Sequence, residues 1–154
     1  MTAVTSLDRI DEQLVALLQR NARASNKDLA AAVGLAPSSC LERVRSLGER
    51  GVISGYHAEV DLAALGRGVE AMVAVRLRPH TRPLIDRFVE HVLGLPETLE
   101  VFHVSGAEDF LLHVAVGGPH DLRDFVLDHL TARPEVGHVQ TSLVFARVRK
   151  PIGA

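Results

Sequence analysis

From Val69 onward the chain is written twice. The stretch "VEAMVAVRLRPHTRPLIDRFVEHVLGLPETLEVFHV" aligns with "DFLLHVAVGGPHDLRDFVLDHLTARPEVGHVQTSLVF". Each half runs from an apolar strand through Pro-His, a helix with a Leu…Phe-Val face and Pro-Glu to a second strand. Leu84, Ile85, Phe88, Val89 and Val92 line the first helix, and Leu122, Phe125, Val126 and Leu130 the second, at helical spacing. Two strand–helix–strand units in series leave few ways to fold. The expected result is a split βαβ, or ferredoxin-like βαββαβ, arrangement: four antiparallel strands with both helices on one face.

Helices on one side leave the other side of the sheet to be covered by something else. Val101, His103, Leu111, Ala115, Leu143 and Phe145 include candidates for that second face. A bare apolar sheet face of this kind marks a subunit interface, so homo-oligomerisation is expected.

The first third is helical. "LDRIDEQLVALLQR" carries Ile10, Leu14, Leu17 and Leu18 on one face, with Asp8 placed to cap its start. A second helix begins at Ser25 or Asn26, uses Leu29, Ala30 and Val33 as its apolar face, and ends at Gly34. Pro37 opens a third helix at a first-turn position, where a missing N–H costs nothing. Two helices joined by so short a glycine turn make a helix-turn-helix unit. "GVISGYHAEVD" follows, with Tyr56, Ala58 and Val60 alternating, and reads as a strand leaving a winged helix-turn-helix. The expected organisation is an α+β chain: a DNA-binding domain over 1–54, a linker strand over 55–68 and a ferredoxin-like domain over 69–154.

Net charge is −2, so bulk electrostatics do not point to a polyanionic partner. Between Arg20 and Arg50, however, six basic residues face three acidic ones, a local surplus of the kind nucleic-acid binding needs. The single cysteine, Cys40, cannot form an intrachain disulfide, which suits a reducing compartment. The opening "MTAVTSLDRID" has no secretion-signal pattern, and no apolar run approaches the roughly 18 residues of a membrane span. A cytoplasmic protein without a membrane partner is expected.

A helix-turn-helix joined by a strand to a ferredoxin-like half resembles the Lrp/AsnC family of feast/famine transcriptional regulators. The resemblance covers residues 7 to 150 and is carried by "LDRIDEQLVALL", "LAAAVGLAPSSCLERVRSL", "GVISGY", the hairpin "VSGAEDFLLHV" and the final "VQTSLVF". It implies homodimers joined through their sheets, often assembled into octamers. It also implies binding of double-stranded DNA by the third helix, and a small effector, typically an amino acid, held between neighbouring ferredoxin-like halves. Three residues depart from the family pattern. Ala36 stands where a capping serine is common, so Ser38 or backbone solvation must compensate. Gly48 interrupts a helix at a cost of about 1 kcal/mol relative to alanine, and Glu42 puts negative charge on the groove-facing surface.

On the third helix, Cys40, Val44 and Leu47 fall within about 60° of one another and face inward. Ser38, Glu42, Arg45, Ser46 and Glu49 face outward, with Ser39, Arg43 and Arg50 on one flank. Ser38 and Ser39 either meet phosphates and base edges or cap the helix. Arg43 and Arg45 either reach phosphate or guanine or pair with Glu42 and Glu49 on a solvated face. Glu42 either accepts from a cytosine amino group or tempers non-specific affinity; the second is favoured.

In the hairpin, Gly106 permits close backbone approach beside Ala107, and Asp109 offers a carboxylate to an α-ammonium group. Ser105, with Thr141 or Ser142 on the last strand, offers hydroxyls to an α-carboxylate. The plain alternative is a hairpin turn and nothing more. The eight histidines show no metal-ligand spacing, and His103 and His113 read as cross-strand neighbours on the open sheet face. No catalytic constellation, cofactor motif or phosphate-cradling loop appears. Siroheme decarboxylases, built on a similar two-part chain, supply the enzymatic alternative. A DNA-binding regulator without an effector is the other.

Overall fold

The computed structural model describes residues 6–150; the outermost ends of the two expected domains, 1–5 and 151–154, lie outside them. The chain divides into two compact units, one running to Glu59 and including the chain again from Val148, the other Val60–Arg147.

In the first unit, helix α1 (Arg9–Arg20) starts at Asp8, whose carboxylate accepts from the Asp11 N–H at 2.8 Å. Helix α2 (Asn26–Val33) is capped by Ser25 and stopped by Gly34 in the left-handed region at φ 69°. Helix α3 (Pro37–Glu49) opens on proline, as expected. Leu14, Leu29, Cys40 and Leu47 form the core of the three-helix unit, with Val44 partly buried against it.

The strand expected beyond Gly51 does not form. Ser54 to Asp61 are without strand or bridge partners among the described residues. Alternation of Tyr56, Ala58 and Val60 sets sidedness, but a strand exists only through a ladder to a neighbour, and the described residues of one chain supply none there.

In the second unit, strands β1 (Val69–Leu77), β2 (Thr98–His103), β3 (Phe110–Val116) and β4 (Val136–Leu143) form one antiparallel sheet in the order β2-β3-β1-β4. Helix α4 (Arg82–Leu93) and helix α5 (Pro119–Phe125) connect them, giving the ferredoxin-like topology. Phe88 and Val92 of α4 and Leu122 and Phe125 of α5 pack on Ala71, Val73, Val75, Phe110, Leu112 and Val114. The second helix was expected to run as one α-helix, but past Phe125 it widens into a π-helical segment, Val126–Thr131. Five residues of α-helix would carry Leu130 about 140° away from Phe125. The i→i+5 winding turns both onto the sheet instead, and both are buried.

Cross-strand pairs share a face, so the registers decide what the helices leave uncovered. Val101 pairs with Leu112, His103 with Phe110 and Leu143 with Ala71, all on the helix-covered side. His103 stacks on the Phe110 ring at 4.7 Å and is therefore not a partner of His113. Phe145 lies beyond β4. Leu111 and Ala115 of β3 do lie on the open face as expected, together with Met72 and Ala74 of β1, Phe102 of β2 and His113. His113 is buried, 2.7 Å from the Glu70 carboxylate and 3.7 Å from that of Glu100.

Candidate functional site

The outer face of α3 is polar and solvent-facing along its first three turns. Ser38, Ser39, Glu42 and Arg45 are exposed and Ser46 half-buried. No side chain caps the helix; Ala36 at the N-cap has nothing to offer. Pro37 removes one orphan donor, and Asn26 ties the start of α3 to α2 by donating to the Pro37 carbonyl at 2.7 Å. Ser38 does not take over the missing cap, so the first amides of α3 are left without a side-chain acceptor at the helix start. Such amides, with the helix dipole behind them, favour phosphate.

The two arginines differ. Arg45 is 78% exposed and reaches only Glu49, one helical turn on, at 2.7 Å. An exposed pair of that kind is weak and exchanges readily for a phosphate. Arg43 turns back instead, with Nη1 2.6 Å from Asp8 and 2.9 Å from Asp11. Arg50 adds a contact to Asp11 at 3.3 Å. Asp11 is buried, so α3 is locked to the first turn of α1 by a charge network with a desolvated centre. The expected alternatives for Arg43, Glu42 and Glu49, are not its partners. Asp8 is held below its ordinary carboxylate value by the Asp11 amide first and the Arg43 guanidinium second, and Arg43 is raised above its own by the Asp8 and Asp11 carboxylates.

At the β2–β3 hairpin, Gly106 adopts φ 127°, a region that favours glycine, and Ser105, Gly106 and Ala107 are exposed. Asp109 is turned inward: one oxygen accepts from the Leu77 N–H at 2.7 Å and the other meets His80 at 3.0 Å. Its carboxylate therefore fastens the hairpin to the end of β1. Arg76 completes the fastening by donating to the Ala107 carbonyl and to Glu108 at 3.1 Å. Glu108, absent from the sequence reading, keeps a second oxygen with no hydrogen-bond partner.

Thr141 and Ser142 do not join this group within one chain. They pair with Val73 and Met72, whereas the hairpin lies level with Val75 and Leu77. They stand on the far edge strand, about 10 Å across the sheet from β3. As neighbours on a strand they point to opposite faces.

No group of histidine, cysteine and carboxylate side chains among the described residues is arranged to hold a metal ion. No helix among them is long and apolar enough to cross a membrane.

Comparison with known proteins bears on both halves. Residues 7–47 match the AsnC-type helix-turn-helix domain, and residues 70–151 the Lrp/AsnC ligand binding domain. The HTH-type transcriptional regulator AldR of Mycolicibacterium smegmatis is 43% identical over 143 residues, 93% of this chain and 84% of that protein. The transcriptional regulator AzlB of Bacillus subtilis is 32% identical over 146 residues, 95% of this chain and 93% of its own. Among solved structures, a transcriptional regulator of Neisseria meningitidis in complex with L-Met matches with a TM-score of 0.88 at 29% identity, over 97% of this chain and 96% of that one.

Proposed function

The chain belongs to the Lrp/AsnC family of DNA-binding transcriptional regulators, and from that premise we propose that α3 enters the major groove of double-stranded DNA while the ligand-binding half answers to an amino acid. One observation carries the first part: Ser38, Ser39, Glu42, Arg45 and Ser46 share a face whose leading amides are uncapped and whose one weakly held cation is Arg45. Arg43 is no part of that face, because its guanidinium is paired with Asp8 and Asp11.

Arg45→Ala is the test. If Arg45 meets a phosphate, affinity falls for all sequences alike and the salt dependence of binding flattens by about one unit. If it meets a guanine, specificity at one position relaxes at a cost of about 1–3 kcal/mol. An affinity and salt slope equal to wild type would remove α3 from the interface.

The amino-acid reading is supported by the chemistry of the hairpin. Ser105 offers a hydroxyl and Gly106 and Ala107 an approachable backbone, while just beneath them Glu108 holds a buried carboxylate oxygen without a partner, the charge an ammonium group entering the hairpin would answer. Asp109 orders the loop, and Thr141 and Ser142 contribute only if a second copy brings them to the hairpin. The neisserial relative holds L-Met, which is the same class of ligand. A second copy is also what the open sheet face of Met72, Ala74, Phe102 and Leu111 calls for, as a homodimer and, through repeated contacts, a higher oligomer such as an octamer. An effector that binds one assembly better than another then shifts the population that binds DNA.

A thermal-shift screen of the twenty amino acids checks this. At least one should raise the melting temperature of the wild type, by mass action on the native state, and the response should be lost in Glu108→Gln. Silence across the wild-type screen would leave a regulator without an amino-acid effector. A full response in the variant would move the ammonium site elsewhere.

A further inference from the structure

Helix α3 presents one large apolar side chain to solvent. Leu41 is 58% exposed, beside Cys40 and Leu47 at 0%. Val44, Val52 and Ile53 pack against that cluster from partly buried positions, whereas Leu41 leaves more than half its surface in solvent. At about 100° per residue, Leu41 sits roughly a quarter turn from Cys40. Its neighbours on the helix surface are Ser38, three residues before it, and Arg45, four after. It therefore borders the outward face on the side of Ser38 and Arg45, and lies away from Ser39 and Ser46.

A lone exposed leucine on an arbitrary surface needs no explanation. This one stands on the fifth residue of a recognition helix, in the half whose side chains reach base edges when such a helix lies in the major groove. The pairs that Arg43 and Arg50 make with Asp8 and Asp11 tie α3 to α1 and set the direction in which this face points. Base pairs expose a single apolar group in that groove, the 5-methyl of thymine. The polar groups of the outward face, Ser38, Glu42 and Arg45 among them, suit hydrogen-bonding edges and phosphates and leave that methyl to Leu41.

We propose that Leu41 is a specificity-determining residue that recognises the 5-methyl group of a thymine. The assignment rests on α3 being the DNA-reading helix, and it adds a base that the polar residues of that helix do not select.

The test uses the full chain and DNA it selects itself from a pool of random duplexes. In the enriched duplex each thymine is replaced in turn by uracil, which differs only by the missing methyl. Wild type should lose about fourfold in affinity at one thymine position or more, the value expected for one buried methyl-sized group. Leu41→Ala should bind the thymine and uracil duplexes equally at that position. Because Leu41 is exposed, the variant should melt as wild type does, so a loss of discrimination is not a loss of fold. The assignment is overturned if wild type is indifferent to every thymine-to-uracil change, or if Leu41→Ala keeps the same discrimination. If no DNA enriches, the reading of α3 fails first and the assignment falls with it.

Discussion

Asp11→Ala is expected to lower the stability of the three-helix unit by about 1.5–3 kcal/mol, the range for hydrogen bonds to a charged group that is out of water. For a unit of this size that is a fall of roughly 10 °C in melting temperature, read by circular dichroism. The residue is 5% exposed and holds two guanidinium groups at once, Arg43 at 2.9 Å and Arg50 at 3.3 Å. Its loss releases α3 from α1 at the point where the recognition face is aimed. DNA affinity should therefore fall with the salt slope intact, which separates an aiming residue from one that touches phosphate. Acid should reach the same place. Asp8, held below its ordinary value of 3.8, contributes in full at neutral pH, and its share is lost as pH falls through that lowered value. An unaltered melting temperature in Asp11→Ala would show the network to be decorative.

Leu111→Glu should weaken self-association by roughly a hundredfold or more, since a carboxylate set into an apolar contact has no partner and cannot be rehydrated. Leu111 lies on the sheet face the helices leave open, next to Phe102 across the β2–β3 ladder. Leu143→Glu is the matched control: Leu143 is half exposed but pairs with Ala71 on the helix side. Light scattering should show dissociation in the first variant and wild-type size in the second. The reverse pattern would mean that the protein associates through its helices.

The contrast between those two leucines shows what a sequence can carry. The three helices of the first unit were legible to within a residue, because Asp8, Ser25, Gly34 and Pro37 are local signals that act on their own neighbours. The ferredoxin-like order was legible because it is repeated. Which side of the sheet a residue faces was not. That depends on register, and irregularities at Arg76/Leu77 and Thr98/Glu100 break the simple count of alternate residues. The partners of Arg43 lie 32 and 35 residues away, a pairing no spacing rule supplies. Asp109 was legible as a hairpin carboxylate but not as a fastener, since its acceptor duties come from Leu77 and His80 on another strand end. Leu41 carries no polar signal, although its helical angle, outside the Cys40–Val44–Leu47 stripe, was enough to find it.

The π-helical turn at Val126–Thr131 has a consequence for how this fold can vary. Four residues separate Phe125 from Leu130, one more than the three that an α-helical turn would place between two positions on the same face. That extra residue is a reserve of chain length. Losing it would tighten the turn to α and keep both side chains on the sheet, whereas a one-residue change in α4 would swing Phe88 or Val92 out of the core. Among the helices of the second unit, this is where an insertion or deletion between relatives is best absorbed.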